Sequence, residues 1–235
     1  MFRAWAYRLR HGRDPRQARY LTLGSLRWIV KNRAWTPFFL VRYWRLFVLR
    51  LRRPDVVLEG MVFLGKGCTV YAHTGYGRLV IGKFVHLGDM TRLRAHDGTL
   101  RIGDHTVFGS DNTVNCFLDI EIGAGTLISD WTYICDFDHV IDDVHSWIMH
   151  QGIVKTPVRI GPGTWMGVKS SVLRGTIIGE GSVLAAHAVA RGVYPDRAII
   201  AGVPGKVVAD RDERYREAAA QRAALADMAR KHAAF

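Results

Sequence analysis

Residues 160–190 read IGPGTWMGVKSSVLRGTIIGEGSVLAAHAVA. Large apolar side chains occupy every sixth position, at Ile160, Met166, Val172, Ile178 and Leu184, and the series closes on the smaller Ala190. A period of six fits neither an amphipathic helix, at about 3.6, nor a half-buried strand, at about 2. It fits short strands joined by tight corners, each sixth side chain pointing into a narrow coil. A Gly follows the apolar residue at Ile160-Gly161, Met166-Gly167 and Ile178-Gly179. We read it as the residue that takes φ > 0 at the corner, where Gly pays no steric cost. Thr164, Ser170, Thr176 and Ser182, four positions into each step, suit a pleated edge.

The same spacing runs upstream in shorter blocks: Ile81, Leu87, Leu93; Ile102, Phe108, Val114; Ile122, Ile128, Ile134. Self-similarity at a fixed period is the signature of a repeat architecture. The phase slips around His96-Asp97-Gly98 and again near Asp119, and it breaks fully between Ile134 and Ile160. Residues 140–156, VIDDVHSWIMHQGIVKT, therefore read as a loop thrown out from the coil. Long loops on rigid scaffolds often carry function.

The flanks differ in composition. Of the net charge of +12, residues 1–53 supply +13, from 13 Arg and one Lys against the single acid Asp14. The rest of the chain is nearly neutral. An ideal helix over residues 38–53 gathers Arg42, Arg45, Arg50, Arg52 and Arg53 on one arc, with apolar side chains elsewhere. Such a basic segment suits an anionic membrane surface or an acidic acceptor, or packs on the end of the coil. From Asp210 the chain is rich in Ala, Glu and Arg, and it reads as a helix that docks weakly through Tyr215, Leu225 and Met228. Asp210–Arg214 and Asp212–Arg216 have the spacing of favourable helical pairs. The expected organisation is a basic helical segment at 1–55, a repeat domain at 56–208 with its loop at 140–156, and a C-terminal helix at 209–235.

Three cysteines, Cys68, Cys116 and Cys135, show no paired spacing, which argues against a disulfide framework or a zinc site. No apolar leader follows Met1, and Arg42, Arg45 and Arg50 interrupt the apolar stretches well short of a bilayer span. The expected location is cytoplasmic, with peripheral attachment at the inner face of the membrane as one option. No nucleic-acid reading motif accompanies the basic stretch.

Four features of residues 160–207 resemble the hexapeptide-repeat acyltransferases, especially the maltose, galactoside and cell-envelope polysaccharide O-acetyltransferases. They are Trp165-Met166-Gly167, the run Val172 to Gly179, Gly181-Ser182-Val183, and Ala201-Gly202-Val203-Pro204-Gly205-Lys206. The resemblance covers about residues 60–208. It implies an all-β core, a left-handed parallel β-helix assembled as a homotrimer, whose cleft between subunits joins acetyl-CoA or another acyl-CoA to a saccharide or glycan acceptor. It implies no metal.

Acyl transfer to an alcohol needs a base for the hydroxyl proton and donors for the oxyanion. Histidine titrates in the right range. His139 ends a repeat block just before the loop and coincides with the family's catalytic histidine; His145 and His150, inside the loop, are its rivals. Asp136, Asp138 or a backbone carbonyl would fix its tautomer. By resemblance, Asn115 and Trp165 contact the acceptor, although a corner Asn or a Trp packed between subunits explains them as well. Val168 and Ala186 would offer backbone groups to the coenzyme A moiety, and Arg191 and Lys206 would reach its phosphates. The family's Thr-Lys pair is Arg191-Gly192 here, which moves that charge by one residue. Competing readings are an N-acyltransferase on an amino sugar, a longer-chain acyltransferase, a γ-class carbonic anhydrase with three His ligands converging from adjacent subunits, and a non-catalytic scaffold.

Overall fold

The computed structural model describes residues 2–232, with side chains through residue 225. Three helices, α1 (Phe2–His11), α2 (Leu23–Lys31) and α3 (Pro37–Arg52), precede a parallel coil of short strands, and α4 (Arg211–His232) follows it. Residues 233–235 and the side chain of Met228, part of the expected C-terminal helix, lie outside the described residues.

The coil winds about six turns into three parallel sheets, a left-handed β-helix of the acyltransferase type. Its registers explain the period of six. Ile81, Ile102, Ile122, Ile160, Ile178 and Tyr194 stack in one sheet. Leu87, Phe108, Ile128, Met166, Leu184 and Ile200 stack in the second. Leu93, Val114, Ile134, Val172 and Ala190 stack in the third. All of these are buried and line one continuous core. The slips in phase are longer corners between the third sheet and the first, such as that between Arg92–Ala95 and Thr99–Ile102. The full break is a hairpin: Phe137–His139 pairs antiparallel with Ile153–Lys155, and the loop runs between them.

Two local expectations are corrected. The Gly after each apolar residue is not the left-handed one. That conformation falls two positions later, at Phe84, Met90, His105, Lys169 and His187 among others, with φ near 58° (Met90). The Gly is required because the next coil lies against it. A Cβ at Gly161 would sit 2.5 Å from Glu180 N, and one at Gly167 2.5 Å from Ala186 N. The Thr and Ser residues do not decorate a pleated edge either. Thr106, Thr126, Thr164 and Thr176 are buried at corners. Thr106 Oγ1 donates to Gly103 O (2.9 Å) and Thr164 Oγ1 to Gly161 O (2.7 Å), satisfying carbonyls that the turn would otherwise bury unpaired.

The helix α3 closes the open N-terminal end of the coil, the packing alternative for this segment, and its inward face mixes apolar side chains with arginines. Leu46 is buried, and Phe39 and Tyr43 pack with Trp28 on Phe63. Arg42, Arg45 and Arg50 turn inward and are partly buried; Arg45 Nη1 donates to Leu64 O (3.2 Å) and Arg50 Nη1 to Ala18 O (3.0 Å). Phe38, Val41 and Trp44 face solvent, Trp44 with 64% of its surface exposed. A coil end exposes backbone carbonyls, and guanidinium forks reach them where Phe and Trp cannot. At α4, Asp210 caps the helix through Asp212 N (2.6 Å) and Asp212 pairs with Arg197 (2.7 Å), so neither carboxylate makes its expected helical pair.

Candidate active site

Asp136 is fully buried where the coil turns out into the hairpin. Its Oδ1 accepts from Phe117 N (2.8 Å), and its Oδ2 accepts from Leu118 N (2.7 Å) and Asp119 N (2.8 Å). It clamps the corner of the coil below. Burial, and then the Asp136 charge, push the neighbouring Cys116 thiol up, so it stays protonated. Asp138 accepts from Arg174 Nε (2.6 Å), and Arg191 Nη2 approaches the same oxygen at 3.7 Å. Neither carboxylate is therefore bonded to His139, and no hydrogen bond to that imidazole is made among the described residues.

His139 ends its strand opposite Ile153 and is exposed. Below it an aromatic column fixes the corner. His96 stacks on Phe117 (4.3 Å between centroids), Phe117 meets Phe137 at 4.5 Å, and Phe137 meets the edge of His139 at 6.3 Å. Lys155 ties the return strand back to Asp97 (3.5 Å). His139 thus stands on a braced edge. His145 and His150 lie in the exposed loop above.

Asn115 is in register with Cys135 and Arg94 on the outer face of the third sheet. Its Nδ2 donates to Tyr133 Oη (3.4 Å), while its buried Oδ1 neighbours the His96 imidazole without a well-formed hydrogen bond among the described residues. An unpaired buried amide oxygen is costly, and it suits a ligand hydroxyl. Burial raises the Tyr133 phenol and the Cys135 thiol, so both stay neutral. Burial and the Arg94 charge lower His96, which stays neutral near pH 7. Arg174, Arg94, His96 and Tyr133 were not singled out from sequence. Arg94 and Tyr133 become visible only through the register, and Arg174 through its ion pair.

Trp165 lies elsewhere, on the outer face of the second sheet, its Nε1 reaching Ser129 Oγ (3.3 Å). It belongs to an outward apolar column of Val107, Leu127, Trp165, Val183 and Ile199. One protomer does not bring it onto the Asn115 face.

Val168 and Ala186 stack at the corner between the second and third sheets. Elsewhere an Asp on the next coil accepts the corner N–H: between the second and third sheets Lys66 N bonds Asp89 (2.7 Å) and Ser110 N bonds Asp130 (2.6 Å), and between the first and second Lys83 N bonds Asp104 (2.7 Å) and Glu180 N bonds Asp196 (2.9 Å). Above Val168 that position is Ala186, which offers no carboxylate. The Val168 carbonyl accepts from His187 N (2.9 Å), but among the described residues nothing accepts from the N–H of Val168 or Ala186. This corner presents open amides beside the side chains of Lys169 and His187. Lys206 faces solvent on the closing hairpin, opposite Ala201. Arg191 points instead toward Asp138. No group of three or more His, Cys, Asp or Glu stands where it would hold a metal ion among the described residues of the single chain.

No family model matches the chain. It is 56% identical over 226 residues to Rv3034c of Mycobacterium tuberculosis, a protein named as an acetyltransferase, covering 94% of this chain and 75% of that one. It is 36% identical over 121 residues to WbbJ of Escherichia coli, named as a lipopolysaccharide biosynthesis O-acetyl transferase, covering 45% of this chain and 61% of that one. In fold it is similar to a variant of AntD, an N-acyltransferase from Bacillus cereus solved with dTDP and coenzyme A, at a TM-score of 0.56 and 18% identity over 68% of this chain and 87% of that one. With these relatives and this coil, the chain belongs to the hexapeptide-repeat acyltransferases.

Proposed function

We propose that this enzyme moves an acyl group, most simply acetyl, from acyl-CoA to a hydroxyl of a saccharide or glycan, with His139 as the base. The observation that carries the reading is His139 itself: an exposed imidazole, free of protein hydrogen bonds among the described residues, on an edge braced by the aromatic column and the Asp136 clamp. A base must be solvated enough to pick up a proton and rigid enough to aim. Asn115, with its unpaired Oδ1, holds an acceptor hydroxyl. The open amides of Val168 and Ala186 take up the pantetheine arm, and Lys206 lies near the phosphates. Arg191, drawn to Asp138, serves the hairpin edge more than the donor.

The assembly in this reading is a homotrimer. The column of Val107, Leu127, Trp165 and Val183 is left largely uncovered by the described residues, and Trp165, 49% exposed, would pack there against a second protomer. The outer face of α3, with Trp44 and Phe38 outward in a segment with an excess of arginine, supports peripheral attachment to an anionic membrane on its cytoplasmic side. No helix among the described residues is long and apolar enough to cross a membrane.

The test is release of free thiol from acetyl-CoA against a panel of saccharides, with the product examined by mass spectrometry. The reading requires an added acetyl that mild base removes, as an ester. A base-stable amide would assign N-acylation instead, and no turnover across hydroxyl and amino sugars would argue against the saccharide acceptor.

A further inference from the structure

The acyl-transfer reading leaves unused a cavity of about 310 Å³ at the opposite end of the molecule. It lies where α1, the segment after it and α3 meet, and Arg8, Arg13, Arg19 and Arg50 line it with Gln17 and Tyr20. Four guanidinium groups share this space, and no carboxylate lines it. The nearest acid in sequence, Asp14, is turned away to Arg78 (2.7 Å).

The fold spends some of these donors on itself. Arg8 Nη1 donates to Pro54 O (3.2 Å), Arg13 Nη2 to Gln17 O (2.6 Å) and Arg50 Nη1 to Ala18 O (3.0 Å). These bonds hold the arginines in place around the cavity. The remaining donors of Arg50 are left over: its Nε and Nη2 are buried and have no partner among the described residues. Burial, with Arg13 and Arg8 nearby, disfavours the charged form of Arg50. A buried guanidinium stays protonated regardless, so the cluster carries a standing electrostatic cost. An anion entering the cavity relieves the repulsion and pairs the buried N–H groups together.

We propose that this cavity binds a phosphate-bearing ligand, a phosphomonoester or a diphosphate, through Arg8, Arg13, Arg19 and Arg50. Guanidinium forks match phosphoryl oxygens two at a time, and the volume admits one or two phosphoryl groups. Exposed apolar side chains adjoin it: Phe47 lies 6.0 Å from Tyr20, and Leu51 follows on α3. A soluble phosphate ester and a phospholipid headgroup present the same chemistry here. The site does not depend on the acyl-transfer reading.

The test is calorimetric titration of the full chain with inorganic pyrophosphate at fixed ionic strength, beside flotation with phosphatidylcholine vesicles containing or lacking phosphatidic acid. The variants are Arg13→Gln and Arg19→Gln, whose side chains are exposed, and Arg50→Gln; Arg33→Gln, exposed and outside the cavity, removes the same charge as a control. Saturable binding of one pyrophosphate is expected, weakened about tenfold or more by each cavity variant and unchanged by Arg33→Gln. Flotation that needs phosphatidic acid and is competed by pyrophosphate assigns the ligand to a lipid; pyrophosphate binding without flotation assigns it to a soluble phosphate. Either supports the site. Absence of both, or an equal loss in Arg33→Gln, reduces the cluster to diffuse surface charge and overturns the proposal.

Discussion

Asp136→Asn separates two roles that lie three residues from His139. The carboxylate accepts three backbone N–H groups at 2.7–2.8 Å and is wholly buried. An amide of the same shape offers one oxygen. It keeps Leu118 N and Asp119 N or it keeps Phe117 N, and the other oxygen site becomes an NH2 facing a donor. Leaving a buried donor unpaired costs about 1–3 kcal/mol, and bonds to a charged acceptor lose roughly half their strength when it becomes neutral. The sum is about 3–5 kcal/mol, at the upper end for a point substitution. For a chain of this size that lowers the melting temperature by about 10 °C. Asp138→Asn, removing a partly exposed pair with Arg174, should cost about 1 kcal/mol or less. Thermal melts of the two variants, with acyl transfer measured well below both midpoints, decide between clamp and orienter. The clamp predicts a large shift in melting temperature for Asp136→Asn and a small one for Asp138→Asn. An Asp136→Asn protein that melts like the wild type yet loses turnover would refute this reasoning and restore Asp136 as the partner of the imidazole.

Ala186→Asp should place at this corner the carboxylate found at Asp89, Asp104, Asp130 and Asp196, occupy the Val168 N–H, and weaken acyl-CoA binding about tenfold with the fold intact; unchanged affinity by calorimetry would show that the open amides are not the donor site. Trp165→Ala should shift light scattering from trimer toward monomer and lower activity with it, whereas a wild-type enzyme that is an active monomer contradicts the intersubunit cleft. Stability should depend on pH through His86, held below the usual 6.5 by burial, then by Arg42 and His105. The unfolded chain takes up this proton first as pH falls through 6.5, so the contribution is fully present above that value and is lost toward the lower folded one. The melting temperature should fall in that window, and His86→Phe, which keeps the stacking on Phe63, should flatten the fall; an unchanged slope would contradict it.

The coil was legible because its period is imposed by geometry that every turn repeats. Ile160, Met166 and Val172 report the corners whatever lies beside them. Gly161 escapes a sequence reading because it answers to the neighbouring coil, some eighteen residues away, and Thr164 because its hydroxyl turns back to the Gly161 carbonyl of its own corner. The inward turn of three α3 arginines is hidden in the sequence for a related reason: the helical spacing of Arg42, Arg45 and Arg50 says that they share an arc, but the carbonyls that draw the arc inward, such as that of Leu64, belong to another element. For the proposed base, the break in phase is what points to His139. Asp136 and Asp138 could not be told apart, since a carboxylate facing three N–H groups and one facing Arg174 look alike in a linear chain.

Transfer from acetyl-CoA by the wild type and by His139→Ala, with donor affinity measured on both, tests the central claim most directly. Removing a general base costs about 10²–10⁴-fold in rate. The account predicts a loss of kcat in that range with donor Kd and assembly unchanged, because His139 is exposed and packs on nothing deeper than the edge of Phe137. A His139→Ala enzyme that turns over at the wild-type rate would contradict it and direct attention to His145 and His150 in the loop.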